Sequence, residues 1–447
     1  MKNKQENIEI RRERMSRRGF LGGSLAVLVG AGLSRGEMLF DSKSSLASDT
    51  LKIREFRTLG RTGFKVSDIG LGSGELNDPA LLEAVLDAGI NYIDTAEGYM
   101  RGGVEKTIGS VIKNRDRKSF FLSTKLTLGR NRTKESYIGR ARRCLERLQT
   151  DTIDCLMIHM PSTVEDLKTE GFHEAIRELK AEGRVRFCGL SNHGSQWGDV
   201  PETMEKVHMS AAEDGRFDVA LLVYNFIQRE MGENILKAYK EKNVGTTIMK
   251  TNPVLNYLEM KERADEMKES GREVPERLET LISRLKTRAD QAEAFKNEYN
   301  LTNYNEIRDA AIKFVLSHPY VSTACPTIKN YDDLEAYVAL SGTKLKSAEK
   351  KILAAYEATF GEFYCRHACG KCESRCPYGV PVNTIMRYNH YFMGQGREKT
   401  AMVKYRQLEA GRAARCDNCS GYCEQSCPYG VPIQGLLMIA HKTLTLS

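Results

Sequence analysis

The feature that most constrains this chain is an alternation of short apolar runs with longer amphipathic stretches, starting at Phe56 and kept up to about residue 345. Eight candidate strands stand in order: Ser67–Leu71, Asn91–Asp94, Phe120–Thr124, Ile153–Ile158, Arg186–Leu190, Asp218–Val223, Thr246–Met249 and Val321–Ala324. Segments of helical period lie between them, among them Pro79–Ala88, Val104–Ile112, Lys134–Leu148, Gly171–Ala181 and Ile307–Leu316. Eight such units in this length argue for a (β/α)8 TIM barrel over residues 48–345. A doubly wound sheet is the rival. Its fingerprint needs Gly-x-Gly-x-x-Gly, and Gly70-Leu71-Gly72-Ser73-Gly74-Glu75 lacks the last glycine at the required place. One segment departs from the repeat: a highly charged insertion at 254–300, in which Leu278, Leu281, Ile282 and Leu285 fall at helical spacing. It follows the seventh strand, on the face where barrel loops build active sites, so part of it reads as a helix packed on the body, and the whole as a lid or docking surface or, equally, as a solvated helical hairpin.

Polar residues end three consecutive strands. Asp94 closes the second and leads through Thr95-Ala96-Glu97-Gly98 to Tyr99; Lys125 closes the third; His159 closes the fourth. Carboxyl ends of neighbouring strands converge on one mouth, where barrel enzymes do their chemistry. Singly, each has a plain structural reading, as a packing tyrosine, a solvated lysine or a hydrogen-bonded histidine. Together and in order they form a candidate catalytic set. A tyrosine, with a reference pKa of about 10, becomes a useful acid only when a nearby cation stabilises its phenolate. Lys125 supplies the cation, Asp94 holds it by a charge-assisted bond, and His159 orients a carbonyl oxygen or shares the proton.

These four residues and Gly189-Leu190-Ser191-Asn192 resemble the aldo/keto reductase family, over about 290 residues. The resemblance implies a catalytic tetrad of Asp94, Tyr99, Lys125 and His159 and an NAD(P) cofactor whose carboxamide is held by Ser191 and Asn192. It also implies a small carbonyl or alcohol substrate. Two positions depart from the family pattern. Leu221 stands where relatives carry a glutamine before Tyr224-Asn225. In the loop after the eighth strand, Lys329 offers a cation for a 2′-phosphate, but Asp333 stands about where an arginine is common.

The tail carries the second constellation. Cys365, Cys369, Cys372 and Cys376 precede Pro377, and Cys416, Cys419, Cys423 and Cys427 precede Pro428. Both runs close on Cys-Pro-Tyr-Gly-Val-Pro, at 376–381 and 427–432. Eight thiols in two sets of four match the ligand count of two [4Fe–4S] clusters, and closely spaced cysteines ending in Cys-Pro are the bacterial ferredoxin pattern. Structural zinc favours paired Cys-x-x-Cys hooks and has no use for the terminal Cys-Pro, and a disulfide framework belongs to smaller scaffolds. Exchange of the fourth cysteines would group Cys365, Cys369 and Cys372 with Cys427, and Cys416, Cys419 and Cys423 with Cys376; each run holding its own cluster is the other arrangement. Helical patches at Val382–Tyr391, Glu398–Leu408 and Ile433–His441 predict a mainly helical ferredoxin-like iron–sulfur domain over 346–447. With it, the chain is similar to the aldo/keto reductases that carry a C-terminal ferredoxin-type domain.

Residues 1–47 read as an address. Ser16-Arg17-Arg18-Gly19-Phe20-Leu21 precedes a weakly apolar run too short to span a bilayer, and Ser45-Leu46-Ala47 offers a signal-peptidase site. Paired arginines there resemble a twin-arginine signal, implying the twin-arginine export machinery as partner and a periplasmic or cell-envelope location. That route exports folded proteins, which suits a thiolate site that must be built before export. Net charge is +8 but dispersed, with no concentrated basic face, so a nucleic-acid partner is not expected. Cys144, Cys155, Cys188 and Cys325 stand alone in apolar surroundings as buried thiols. Two readings follow: an exported oxidoreductase with electron-carrying clusters, or a non-catalytic barrel whose clusters are structural or relay electrons to a redox protein partner. Hydride moves as an electron pair and a cluster takes one electron at a time, so the first reading needs a link that the sequence does not spell out.

Overall fold

Strands form where apolar and β-branched residues run together and both faces are covered, as parallel strands require. All seven residues of Ile153–His159 and all five of Val219–Val223 are buried. The computed structural model describes residues 51–194, 202–254, 276–393, 395, 397–408 and 412–445, without the side chains of 276–282, 284, 285 and 288. The address at 1–47 and residues 255–275 of the insertion lie outside the described residues.

Among the described residues, ten strands occur in chain order: β1 (Phe56–Thr58), β2 (Lys65–Ser67), β3 (Leu71–Gly72), β4 (Tyr92–Asp94), β5 (Phe121–Thr127), β6 (Ile153–His159), β7 (Val185–Ser191), β8 (Val219–Val223), β9 (Gly245–Met249) and β10 (Thr323–Ala324). Strands β3 to β10 pair in sequence order, all parallel. Parallel bridges Ile69–Ala324 and Gly72–Thr327 join the last strand to the first and close the barrel. Amphipathic helices fill the crossovers, including Pro79–Asp87, Gly103–Ile112, Lys134–Leu148, Glu170–Ala181 and Asn305–Leu316. Their starts are marked chemically: Asp78 accepts from the Ala80 amide ahead of Pro79, and Thr133 from Ser136.

The expected first strand, Ser67–Leu71, is divided. Ser67 ends a hairpin strand antiparallel to β1, and only Leu71–Gly72 joins the barrel sheet. The break falls at Asp68, whose buried carboxylate leaves the ladder to accept the Ser341 hydroxyl (2.7 Å) and the Gly342 amide (2.8 Å). The hairpin sets Leu59 and Val66 against Tyr92, Phe121 and Val219 at the barrel's amino-terminal end.

The insertion contains the expected helix, running Glu276–Glu298. The side chains of Leu278, Leu281, Ile282 and Leu285 lie outside the described residues, but Ala292 and Phe295 are buried. The Phe295 ring meets Tyr356 at 6.0 Å and Phe360 at 5.7 Å, on the helix Ser347–Phe360 that leads out of the barrel. The tail beyond it is helical among the described residues: Val382–Met393, Glu398–Arg406, Tyr422–Gln425 and Ile433–Leu444. One apolar cluster joins Phe226, Ile307 and Ala311 of the barrel to Val382, Ile385 and Leu437 of the tail.

Gly189 shows how tightly the strand leading to Ser191 is held. A Cβ there would lie 2.7 Å from Cys155 Sγ, 2.8 Å from Met157 Cγ and 2.8 Å from the Val219 carbonyl. Gly189→Ala is therefore expected to destabilise the protein by about 1–3 kcal/mol through overpacking, read as a lowered thermal midpoint. An unchanged midpoint would mean that the β6–β8 wall can expand.

Candidate active site

The strand-end residues named from the sequence meet at the carboxyl end of the barrel. Lys125 is fully buried, and its Nζ donates to Asp94 Oδ2 (2.6 Å) and to the Thr95 carbonyl (2.6 Å). The same ammonium stands 5.2 Å from the centre of the Tyr99 ring, and the His159 ring meets Tyr99 edge-on at 6.2 Å. Tyr99 opens a turn of unusual backbone: Met100, Arg101 and Gly102 have φ of 47°, 56° and 87°. Met160, just after β6, and Lys250, just after β9, are also left-handed, with φ of 58° and 55°. Each such non-glycine conformation costs about 1–3 kcal/mol, and persists where surrounding structure over-determines it.

Burial sets the protonation states. It lowers the pKa of Lys125, but Asp94 and Tyr99 outweigh it, and the ammonium is held above its ordinary value. Burial raises Asp94 against the pull of Lys125. Tyr99 is raised as well: burial exceeds the opposing effect of Lys125, with Asp94 adding to the rise and Arg397 opposing it. The expected lowering by Lys125 is thus present but outweighed, because a covered phenol loses more hydration than one cation returns. His159 is driven well below the imidazole range by burial, then by Lys125, Lys404 and Arg387, and is neutral near pH 7.

Ser191 and Asn192 follow on β7. Asn192 Oδ1 accepts the Gly194 amide (2.8 Å), while Asn192 Nδ2 and Ser191 Oγ are buried without a partner among the described residues. Such groups fit a ligand amide. Leu221, at the glutamine position, is an apolar wall of the same cavity. Lys329 is already engaged: its Nζ donates to the Gln395 carbonyl (2.6 Å). Asp333 accepts the Lys329 amide (3.0 Å) at the start of the helix Tyr331–Leu340.

The tail supplies what the strand-end pattern missed. The cavity holding Tyr99 and Ser191 is also lined by His390, Tyr391, Gln395 and Arg397. Glu75, from the loop after β3, pairs with Arg397 (2.8 Å) and accepts the Thr400 hydroxyl (3.1 Å). Gln228 grips the first cysteine loop at both ends of one residue: Oε1 accepts the His367 amide (2.8 Å), and Nε2 donates to the His367 carbonyl (2.7 Å). No sequence period could have marked these residues. Lys250 could have been found, since it directly follows an apolar strand, much as His159 ends one.

The eight tail cysteines fall into two mixed groups. Cys365, Cys369 and Cys372 line one cavity with Cys427 of the other run. Cys416 has Cys423, Cys419 and Cys376 as charge neighbours, and burial with these raises its thiol to about 12. The repeat extends to side chains. Gly379 and Gly430 share left-handed φ of 62° and 65°; Glu373 accepts the Asn383 amide (2.6 Å) as Glu424 accepts that of Gln434 (3.1 Å). Sulfurs accept N–H groups at Cys376 (from Val380, 3.4 Å), Cys419 (from Gly421, 3.5 Å) and Cys365 (from Asn383 Nδ2, 3.8 Å). Among the described residues no three His, Cys, Asp or Glu side chains are placed to hold a single metal ion. Cys144, Cys155, Cys188 and Cys325 are buried as expected, and Cys325 reaches the mouth cavity.

The fold and this set of groups define a closed (β/α)8 barrel with a buried carboxylate–ammonium pair beside a tyrosine at its mouth. The chain belongs to the aldo/keto reductase family, whose model matches residues 69–357. It is 29% identical over 213 residues to the aldo-keto reductase YhdN of Bacillus subtilis, covering 43% of this chain and 61% of that one. It is 33% identical over 128 residues to the methylglyoxal reductase DkgB of Escherichia coli O157:H7, covering 28% and 46%. The chain thus spans about half to three-fifths of the length of these curated relatives. Among solved structures, an aldo-keto reductase from Klebsiella pneumoniae in complex with NADPH matches at 22% identity and a TM-score of 0.48, covering 68% of this chain and 95% of that one.

The Asp94–Lys125 pair makes a stability prediction. Lys125→Met leaves a buried carboxylate uncompensated and is expected to cost about 3–5 kcal/mol, with most of the loss recovered in the Asp94→Asn/Lys125→Met double variant. Thermal melts of the three proteins measure it, and a double variant no more stable than the single one would count against the pairing.

Proposed function

We propose that this protein is an exported oxidoreductase that interconverts a carbonyl and an alcohol with NAD(P), using Tyr99 as general acid and base. The observation that carries the reading is the contact of Tyr99 with the Lys125 ammonium of the Asp94–Lys125 pair and with the His159 ring, at a cavity lined by Asp94, Tyr99 and Ser191, with Ser191 Oγ and Asn192 Nδ2 buried without a partner among the described residues. The nicotinamide cofactor supplies the hydride when bound. Ser191 and Asn192 hold its carboxamide, and Leu221 offers an apolar face to the ring. As hydride arrives, negative charge grows on the carbonyl oxygen, and Tyr99 donates its proton there. The resulting phenolate lies beside the Lys125 ammonium, which Asp94 and the Thr95 carbonyl keep in position. Neutral His159 orients the carbonyl oxygen with a ring N–H. Because Lys329 and Asp333 are engaged elsewhere, tight selection of a 2′-phosphate does not follow from the loop after β10.

Tyr99→Phe is expected to lower carbonyl reduction by at least about a hundredfold, the scale of general acid catalysis, with the fold intact. In the parent, kcat/KM should stay level through pH 6.5, because His159 is neutral there, and should fall only above about pH 10, because Tyr99 is raised. Full turnover by Tyr99→Phe, or an acidic limb near pH 6.5, would sink the assignment.

The cysteine groups support two [4Fe–4S] clusters with exchanged fourth ligands: Cys365, Cys369, Cys372 and Cys427 for one, and Cys416, Cys419, Cys423 and Cys376 for the other. Each cluster, when bound, supplies one-electron transfer. Thiols from both runs around one cavity, with N–H groups directed at sulfur, suit a cluster better than a single ion. Anaerobically purified protein should contain about eight iron atoms per chain, and Cys427→Ser about four, with the remaining EPR signal arising from the group built on Cys416. Zinc in place of iron would remove the proposal. Arg17-Arg18 supports export by the twin-arginine machinery to the periplasm or cell envelope, where a redox protein partner would exchange electrons with the clusters.

A further inference from the structure

The barrel mouth gathers more basic side chains than it has carboxylates to pair with them. Lys250 and Arg397 line the cavity on either side of its seam, one from the barrel and one from the tail. Both stand against the ring of Tyr391, with Lys250 Nζ 4.4 Å and Arg397 Cζ 5.1 Å from its centre. Arg397 turns Nε toward Glu75, while Nη1 is the atom nearest the open side of Gly74, 3.6 Å from where a Cβ would be. Lys250 Nζ has no carboxylate partner among the described residues. Asp94 is taken by Lys125, and Glu75 already serves Arg397 and Thr400. Burial, then Arg397 and Arg387, holds Lys250 well below the ordinary lysine value, and burial with the same two arginines lowers Lys404 to about 8. A fourth group lies ready nearby: His193 is 8% exposed, lines the cavity, and leaves Nδ1 buried without a partner among the described residues.

We propose that Lys250 and Arg397 form a clasp for the carboxylate of the substrate, and that this protein reduces carbonyl compounds bearing a carboxylate group. The proposal rests on the carbonyl chemistry proposed above. Like charges gathered around one covered cavity favour an anion, and bonds to an ionised partner are about twice as strong as neutral ones. A cofactor's phosphates are also anions, but they lie a ribose away from the nicotinamide. Arg397 acts at the reacting end: its charge reaches Tyr99, and it borders the same cavity. The neutral imidazole of His193 offers a hydrogen bond to a second substrate oxygen. The tail thereby contributes to substrate choice.

The test uses the anaerobically purified full-length protein with NADPH and two matched substrates, 4-carboxybenzaldehyde and its methyl ester. The acid is expected to be favoured by about tenfold or more in kcat/KM, as one charge-assisted contact would give. Arg397→Gln and Lys250→Met should each reduce that ratio, mainly by raising KM for the acid. Equal turnover of acid and ester by the parent overturns the clasp. So does an unaltered ratio in both variants accompanied by a raised Kd for NADPH, which would assign the cations to the cofactor. If neither aldehyde is reduced, the carbonyl reading fails, and the clasp is judged by calorimetry with terephthalate. Binding by the parent that both variants lose sustains the anion site, and no binding by the parent overturns it.

Discussion

The joint between barrel and tail depends on Gln228. Its amide donates to and accepts from the two backbone groups of His367, so the loop carrying Cys365 and Cys369 is tied to the loop after β8. Both bonds are buried, and a buried amide or carbonyl left without its partner costs about 1–3 kcal/mol. Asn225 adds a bond to the Tyr364 hydroxyl (3.0 Å), and the Met204 amide donates to the Ala368 carbonyl (2.8 Å). With the loop so held, Arg387 reaches the His193 carbonyl (3.0 Å), and Arg397 reaches Glu75. The tail therefore covers the mouth as part of one packed body.

That cover changes the chemistry beneath it. Removing water from the mouth raises Tyr99, lowers His159 and strengthens every charge pair that remains. The first cysteine loop and the mouth also become neighbours. His367 lies between Cys365 and Cys369 in the chain, its ring meets His390 at 5.2 Å, and His390 lines the cavity that holds Tyr99. The physical closeness of the cysteine groups and the barrel mouth is a property of the packing, whatever electrons pass between them.

Much of this was legible beforehand. The seven strands from Asn91 onward appear within a few residues of where alternation placed them, because parallel strands covered on both faces read as continuous apolar runs. Asp94 and His159 were legible because a polar residue ending an apolar strand has few places to go but the mouth, and Lys125 because it lies near the carboxyl end of β5, two residues before Thr127. The paired cysteine groups were legible from the repeated Cys-Pro. The hairpin β1–β2 was not, because three-residue strands carry too little period to register. The split of Ser67–Leu71 was not, because it follows from Asp68 finding Ser341 across 273 residues of chain.

By itself the sequence determined the barrel, the places of Asp94, Tyr99, Lys125 and His159 near its mouth, and the two sets of thiols. Each is written in local spacing: the period of a strand, the polar residue near its end, the gap between cysteines. Only the tertiary structure decided which groups would share the mouth. Lys250 and Tyr391 are separated by more than a hundred residues, yet they meet because one apolar core runs from Phe226 and Ile307 into Val382 and Leu437. It also decided the direction of the Tyr99 shift, since burial is a property of what covers a residue. Spacing names the reactive groups; packing sets their water, their charge and their neighbours.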